Sequence, residues 1–348
     1  MPYPLQEQVS LRPFNTFGID VRARWYAPVR RAADLDEILG DGRIRGLPRL
    51  VLGGGSNVLF VDDYPGVVLH IDIPGCEELD GDGADRLLRA GAGVSWPALV
   101  EQLVRDGAPG LENLALIPGR VGAAPIQNIG AYGLELAERL HTVSVWEAAS
   151  GTTRDWTVEE CGLGYRDSAF KRDAGGERVI VAVTLRLPRR WQPVTGYVEL
   201  ERELSVRGIA PGDAGPHDIF DAVCALRRRK LPDPLDLGNA GSFFKNPIVS
   251  RARHAELITH FPSLVSYPLA GGRCKLGAGW LIEACGLKGC TRGRAGVFER
   301  QALVLVNRGG AAGREVLALA REVQARVLEK FGVVLEPEVR ITGAQAGA

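Results

Sequence analysis

Hydrophobic positions recur with two different periods, and the two alternate through most of the chain. From Trp96 to Asp106 the apolar residues fall on one helical face, which predicts an amphipathic helix with Ser95 as its N-cap and Gly107 as its stop. Short runs of β-branched and aliphatic residues predict strands, so the class is mixed α and β. The other predicted elements are strands at Leu140–Glu147, Arg178–Leu187 and Ala302–Asn307, helices at Asp218–Lys230, Ala278–Cys285 and Arg314–Phe331, and a final strand in FGVVLEPEVRITG.

The segment LPRLVLGGGSNVLFV, from Leu47, predicts a strand, a glycine turn and renewed β structure. No helix follows the glycines, so neither a Rossmann fingerprint nor a P-loop fits. Adjacent glycines allow backbone N–H groups to crowd around an anion such as a phosphate, although a tight hairpin turn is an equal alternative from these residues alone. The candidates are Gly53, Gly54, Gly55, Ser56 and Asn57.

A second loop of small residues, IPGRVGAAPIQNIGAYG from Ile117 to Gly133, is too poor in periodic apolar residues for a helix. Loops of this length inside a domain are usually functional. It offers further amide donors together with polar side chains, so the two loops favour a large, dinucleotide-sized ligand. Its candidates are Pro118, Gly119, Gly122, Ala123, Ala124, Gln127, Asn128, Gly130, Ala131 and Tyr132.

Length and charge limit the classes of function. The 348 residues allow two or three domains, and the 42 basic residues balance the 42 acidic ones, so no global charge attracts nucleic acid or a membrane surface. The six cysteines form no C-x-x-C pair and are expected to be reduced thiols. The start, MPYPLQEQVS, lacks the features of a signal peptide, and no apolar run approaches the roughly 20 residues of a membrane span. We therefore expect a cytoplasmic protein. The charged stretch Pro188–Pro216 is interpreted as a domain boundary.

Three polar segments are candidates for chemistry. In GYRDS the Arg166 guanidinium could clamp a carboxylate or stabilise an oxyanion, although a surface arginine is the simpler interpretation. Ser242 follows Gly241 in a turn without a nucleophile elbow, so an acyl-transfer triad is not expected. In LEPEVR, Glu336 and Glu338 share one face of an extended segment, and either could be an acid or a solvated surface group. The five histidines show no zinc-ligand spacing, and no metal is expected.

Six segments, in order along the chain, together resemble the UDP-N-acetylenolpyruvoylglucosamine reductase family. The resemblance covers nearly the whole chain and outweighs the simpler interpretation of each segment taken alone. The only departures are minor: Gly54 stands at a variable position, and the tail after Arg340 is short. The segments are RPFNTFGID, LGGGSNVLF, GLENLALIPGRVGAAPIQNIGAYG, GYRDSAFK, LPDP with NAGSFFKNP, and LEPEVR.

The resemblance implies an α+β protein that binds FAD non-covalently in a fold of the vanillyl-alcohol oxidase (PCMH) type. The two glycine-containing loops would hold the pyrophosphate and ring system of FAD. The implied domains are a first FAD-binding subdomain at residues 1–73, a second at 74–217 with 334–348, and a C-terminal α+β substrate-binding domain at 218–333.

The resemblance also implies a reaction. NADPH would reduce the flavin, and the reduced flavin would deliver hydride to the enolpyruvyl group of UDP-N-acetylglucosamine enolpyruvate, giving UDP-N-acetylmuramate. Arg166 and Glu338 would stabilise the enolate, and Ser242 would protonate the neighbouring carbon. Substrate-binding roles, including closure of Tyr197 over the diphosphate as in the longer subgroup of the family, fall to Tyr165, Tyr197, Lys230, Asn246 and Gln301.

Two rival functions stay open at this point. One is an oxidase on the same fold, which often tethers FAD through a histidine; neither glycine-containing loop holds a histidine. The other is a non-catalytic UDP-sugar binder that has lost its flavin, against which the presence of Arg166, Ser242 and Glu338 together argues. A monomer without nucleic-acid or membrane partners is expected.

Overall fold

The computed structural model of the protein describes residues 5–81, 83–173 and 175–343. Residues 344–348, which the predicted domain 334–348 includes, and the first four residues of the MPYPLQEQVS start lie outside the described residues.

The described chain divides into two compact units. The first unit consists of Ala23–Gly55 and Pro65–Arg229 with the described residues before position 10; the second consists of Ser10–Arg22, Ser56–Tyr64 and the described residues from Lys230 onward.

Two sheets carry the first unit and share one continuous hydrophobic core. In the first sheet, Arg49–Leu52 runs parallel to Tyr64–Ile71, so the strand that leads into the glycine turn lies at the sheet edge. The four strands of this sheet are, in spatial order, Gln6–Ser10, Arg22–Val29, Tyr64–Ile71 and Arg49–Leu52. The second sheet is antiparallel, in the order Thr152–Thr157, Leu140–Glu147, Arg178–Pro188, Asp85–Gly91 and Cys76–Leu79.

The predicted helix near Trp96 is present as Trp96–Arg105, with its apolar face buried and Gly107 in the left-handed conformation just beyond its end. Ser95 occupies the N-cap position with an extended backbone, as predicted, but its side chain makes no capping hydrogen bond. Pro97 occupies the second helical position and has no N–H that could donate to the serine oxygen. The Ser95 backbone pairs with Arg120. The other helices of this unit are Asp34–Leu39, Val158–Cys161, Val198–Val206 and Pro216–Lys230.

The helix Val198–Val206 lies inside the stretch that was interpreted as a boundary, and it was not predicted. Leu200 and Leu204, one helical turn apart, are fully buried. Glu203 and Arg207 form an ion pair of 3.2 Å at the same spacing. This four-residue spacing was a usable signal, but the surrounding prolines and charges obscured it.

The second unit is built on a sheet in the order Gly238–Ser242, Val304–Asn307, Ala295–Val297 and Thr291–Arg292. A three-stranded sheet, Ile248–Ser250, Arg273–Leu276 and Ser266–Leu269, accompanies it. The helices are Arg251–His260, Ala278–Ala284 and Gly313–Phe331. The last two agree with the predicted helices, and the first was not predicted. Gly313 begins the long helix where a Cβ would lie 1.7 Å from the carbonyl oxygen of Phe60, so no larger residue fits there.

The predicted final strand is mostly not a strand. Only Arg340–Thr342 pairs as one, parallel to Val58–Phe60. The preceding residues are held by an isolated bridge between Phe244 and Pro337, and Pro337 has no N–H with which to continue a ladder.

Across the described ranges, none of the helices combines the length and the apolar character that crossing a membrane requires. The six cysteines are free thiols. The described residues also contain no cluster of histidine, cysteine, aspartate and glutamate suited to a metal ion.

Candidate active site

The first glycine loop follows the strand Arg49–Leu52 and packs directly on the second loop. A Cβ added to Gly54 would lie 3.1 Å from the Cα of Gly119, and one added to Gly53 would lie 3.5 Å from the Cβ of Arg120. Gly55 and Gly119 have φ values of 61° and 126°, which other residues rarely adopt. The two loops that the sequence analysis singled out therefore lie side by side in the first unit, with their backbones in close contact.

A buried polar cluster of Tyr26 and His70 contacts the backbone of the first loop. The Tyr26 hydroxyl lies 2.7 Å from Nδ1 of His70, and the His70 ring also hydrogen-bonds the backbone of Gly53. Burial raises the pKa of Tyr26 to about 12, with a smaller contribution from Asp72, so the hydroxyl keeps its proton. Burial lowers the pKa of His70, which favours the neutral ring.

Arg120 connects this cluster to the second loop. Its guanidinium lies 3.5 Å from the Asp72 carboxylate and donates to the carbonyl oxygen of Gly93. Arg120 and His70 were not among the residues predicted to form the site. Their partners are distant in sequence, and no local motif indicates the contacts.

The second loop contains no α-helix in its described residues, as predicted, and is made of tight turns. Short 3₁₀ turns at Val121–Ala123 and Pro125–Gln127 lead into a hairpin of Gly130–Ala131 with Leu134–Glu135. Gly122 packs so closely that an added Cβ would lie 2.5 Å from the Cβ of Ala92.

Asn128 organises this loop through its buried side chain. Its Nδ2 donates to Oε2 of Glu135 at 2.9 Å and to the carbonyl oxygen of Gly164 at 3.3 Å, and its Oδ1 accepts from the N–H of Ala137 at 3.0 Å. Its backbone is left-handed, with φ 43°. The side chain is thus engaged with the protein, and so is the backbone, whose N–H donates to the carbonyl oxygen of Pro125 at 3.2 Å.

Arg166 is anchored on the second loop. Its guanidinium donates to the carbonyl oxygens of Gly130 at 3.0 Å and Asn128 at 3.4 Å. Its Cζ lies 5.7 Å from the Tyr165 ring centroid, and Lys171 Nζ donates to the Arg166 carbonyl oxygen at 3.1 Å. Arg166 also has a φ of 54°, a strained value for a residue with a Cβ. Such strain is typical of residues held in place for function.

Tyr132 and Tyr197 pack edge to face with their ring centroids 5.4 Å apart. Asn113 ties their two segments together, because its Nδ2 donates to the carbonyl oxygens of Tyr132 and Val194, each at 2.8 Å. Tyr197 is 37% exposed and immediately precedes the helix Val198–Val206. A residue predicted to contact the cofactor and one predicted to contact the substrate thus adjoin within the first unit.

In the second unit, Ser242 stands at an irregularity of the sheet. Gly241 is left-handed, with φ 67°, and its N–H donates to Oδ1 of Asn239 at 2.9 Å. The pairing of Asn239 with Val306 shifts register before Ser242 pairs with Val304. A bulge of this kind re-aims a side chain relative to the regular pleat.

Glu338 lies close to the segment of Ser242. Its N–H donates to the carbonyl oxygen of Phe243 at 2.8 Å, and its own carbonyl oxygen accepts from Nδ2 of Asn57 at 3.3 Å. Glu336, in contrast, is exposed and pairs with Lys245 at 3.1 Å. The second unit therefore brings together Asn57, Ser242 and Glu338, while Glu336 belongs to the surface.

Asn246 and Gln301 lie at the start of the helix Ala278–Ala284. Oδ1 of Asn246 accepts from the N–H of Ala278 at 2.9 Å, and a Cβ on Gly279 would lie 3.0 Å from Oε1 of Gln301. Lys230 is the last residue of the helix Pro216–Lys230. Two of the predicted substrate-binding side chains thus converge on one helix end.

Comparison with known families finds two matching models. The FAD binding domain model matches residues 24–157, and the model of the UDP-N-acetylenolpyruvoylglucosamine reductase C-terminal domain matches residues 233–342. The two cover the glycine-containing loops and the Ser242–Glu338 region, respectively.

Relatives that align with nearly the whole chain are named UDP-N-acetylenolpyruvoylglucosamine reductase. The chain is 53% identical over 345 residues to the UDP-N-acetylenolpyruvoylglucosamine reductase of Burkholderia ambifaria, covering 97% of this chain and 99% of that protein. It is 54% identical over 329 residues to that of Burkholderia pseudomallei, covering 94% of each.

Solved structures agree. The UDP-N-acetylenolpyruvylglucosamine reductase of Thermus caldophilus is 27% identical, with a TM-score of 0.67 over 98% of this chain and all of that one. A solvent-stable cholesterol oxidase, 13% identical with a TM-score of 0.50 over 97% of this chain and 87% of that one, shares the fold alone. The prediction of an α+β protein with a PCMH-type FAD-binding fold and a C-terminal domain is confirmed. The chain belongs to the UDP-N-acetylenolpyruvoylglucosamine reductase family.

Proposed function

We propose that the protein reduces the enolpyruvyl ether of UDP-N-acetylglucosamine enolpyruvate to UDP-N-acetylmuramate, with NADPH as the reductant and FAD as the bound cofactor. The observation that carries this proposal is the 53% identity over 97% of the chain with a reductase of that name. The product would enter the synthesis of peptidoglycan precursors.

The residues of the first unit fit FAD. The contact between the first glycine loop and Gly119 places two backbones rich in N–H groups side by side, as a pyrophosphate requires. Gly53, Gly54, Gly55 and Gly119 would hold FAD mainly through the backbone, and Gly122, whose N–H donates to the carbonyl oxygen of Ala92 at 2.9 Å, would contact FAD as part of the close-packed turn. The other proposed FAD contacts of this unit are Pro118, Ala123, Ala124, Gln127, Asn128, Gly130, Ala131 and Tyr132, and those of the second unit are Ser56 and Asn57.

When bound, FAD supplies the transfer of hydride from NADPH to the terminal carbon of the enolpyruvyl double bond. The protein must then stabilise the enolate charge, a role that we assign to Arg166 with Glu338. Ser242 would give its hydroxyl proton to the neighbouring carbon, which completes the addition of one hydride and one proton across the double bond. The anchoring of Arg166 on two backbone carbonyls supports this role, because a fixed cation needs little reorganisation during the reaction.

The diphosphate and sugar of the substrate are assigned to Tyr165, Tyr197, Lys230, Asn246 and Gln301. Tyr197 is suited to closure because it is partly exposed and adjoins Tyr132. Lys230 would supply a compact positive charge for phosphate.

The domain bounds of 1–73, 74–217 with 334–348, and 218–333 are likewise proposals, as are the cytoplasmic location, the monomeric state and the absence of nucleic-acid or membrane partners.

One anaerobic absorbance experiment tests the proposed function. The purified protein should be yellow, lose its flavin absorbance with NADPH, and regain it on addition of UDP-N-acetylglucosamine enolpyruvate. Bleaching without recovery would mean a different substrate. Recovery only with oxygen, or flavin that stays attached to the chain after denaturation, would favour an oxidase. A colourless protein that FAD cannot reconstitute would favour a non-catalytic UDP-sugar binder.

A further inference from the structure

Arg227 lies on the helix Pro216–Lys230 and is partly buried in the first unit. Its Nε is buried and makes no hydrogen bond with any described residue. Arg229, two residues further along the same helix, forms an ion pair with Glu203 at 2.6 Å. Arg227 thus differs from Arg229, because its buried Nε has no hydrogen-bond partner among the described residues.

The groups near Arg227 do not balance its charge. Burial lowers its pKa, and the two groups that oppose this effect are Tyr132 and Cys224. Burial raises the pKa of both the Tyr132 hydroxyl and the Cys224 thiol, so both are neutral near pH 7. A guanidinium keeps its proton even when buried. Among the described residues, no negative group therefore offsets the cost of burying the Arg227 charge, an unfavourable arrangement that a bound anion would relieve.

The surroundings of Arg227 indicate where that anion comes from. Tyr132 is on the second glycine-containing loop, proposed to bind FAD, and its ring packs on Tyr197, proposed to bind the substrate diphosphate. Both proposed ligands carry a diphosphate, and a guanidinium presents two parallel N–H groups that match its oxygens.

We propose that Arg227 is an anion-binding residue whose partner is a diphosphate, supplied either by FAD or by the UDP-sugar substrate. The assignment rests on the proposed function for the identity of these ligands. Arg228, the adjacent residue on the same helix, is exposed and serves as the control position.

The test uses two pairs of variants of the full-length protein, Arg227→Met with Arg228→Met, and Arg227→Lys with Arg228→Lys. FAD is titrated into apoprotein and followed by its fluorescence. UDP-N-acetylglucosamine enolpyruvate is titrated into FAD-loaded protein and followed by the flavin spectrum. Arg227→Met should raise one of the two dissociation constants by about tenfold or more, whereas Arg228→Met should change both by less than about twofold. Arg227→Lys should fall between them, because lysine keeps the charge and loses the paired donors.

A change in the FAD constant alone would assign the anion to FAD, and a change in the substrate constant alone would assign it to the UDP-sugar. If Arg227→Met does not fold, the lysine pair decides: weaker binding of either ligand by Arg227→Lys than by Arg228→Lys supports the proposal. Equal constants for both ligands within the variant pairs would overturn it.

Thermal melting separates ligand binding from a structural role. Removing an unbalanced charge should leave the melting temperature of ligand-free Arg227→Met equal to or above that of the wild type. A large fall in that temperature with unchanged dissociation constants would mean that Arg227 only supports the fold. Failure of the wild-type protein to bind the UDP-sugar would instead contradict the proposed function, while the FAD titration would still test Arg227.

Discussion

The backbone N–H of Glu338 donates a 2.8 Å hydrogen bond to the carbonyl oxygen of Phe243, the residue after Ser242. The N–H of Lys245 donates in the same way to the carbonyl oxygen of Glu336 at 2.9 Å. The proposed proton donor and the proposed acidic partner are therefore attached to two paired segments of the second unit. Pairing through the backbone fixes the position of the Ser242 segment relative to that of Glu338.

Replacing Ser242 by alanine should separate the two halves of the reaction. NADPH should still bleach the flavin at nearly the normal rate, because the hydroxyl has no part in that step. Recovery of the flavin absorbance with the enolpyruvyl substrate should slow by about a hundredfold or more, since the proton donor is lost. Stopped-flow absorbance measures both rates. Ser205→Ala, at an exposed helical position, is the control, and equal slowing of both steps in Ser242→Ala would contradict the assignment.

Replacing Tyr197 by phenylalanine should mainly weaken binding of the UDP-sugar. The ring contact with Tyr132 would remain, and the change would remove one hydrogen bond to the substrate, worth about 1 kcal/mol. Titration of the FAD-loaded protein measures the effect. Tyr267→Phe removes a hydroxyl from another partly exposed tyrosine and should leave the dissociation constant unchanged. The same constant for Tyr197→Phe and wild type would exclude a phosphate contact.

Acidification should destabilise the protein through His70. The native pKa of His70 lies below its usual 6.5, and the unfolded chain therefore takes up a proton first as the pH falls. The stability contributed by the neutral ring is fully present above pH 6.5 and is lost progressively as the pH falls toward the native pKa. Asp72 and Arg120, the charged groups facing the ring, act in opposite directions and do not reverse this order.

Melting curves between pH 7.5 and about 5 for wild type, His70→Asn and His141→Asn measure this contribution. His141→Asn, at an exposed position, should follow the wild type. The melting temperature of His70→Asn should depend less on pH. Parallel curves for all three proteins would show that His70 does not contribute.

The sequence predicted those features whose causes are local. Runs of glycine, a loop without apolar periodicity and an amphipathic face each depend on neighbouring residues, and the loops around Gly54 and Gly119 and the helix Trp96–Arg105 followed from them. The contact between Tyr26 and His70 joins residues 44 positions apart, and composition carries no sign of it. The missing counter-charge of Arg227 is also invisible in sequence, because it depends on which groups the fold places nearby.

The packing of the second loop gives a last test, at Gly122. A methyl group added there would lie 2.5 Å from the Cβ of Ala92 and 3.1 Å from its Cα, and the Ala92 backbone cannot yield as a flexible side chain would. Gly122→Ala should therefore cost about 1 to 3 kcal/mol of unfolding free energy and weaken FAD binding, because the loop must shift. Gly42→Ala adds a methyl group where no atom lies within 4 Å and should change neither quantity much. Denaturant unfolding and FAD titration of both variants measure the two effects. Loss of stability in Gly122→Ala with an unchanged FAD constant would mean that the loop packs tightly for the fold alone and does not position the cofactor.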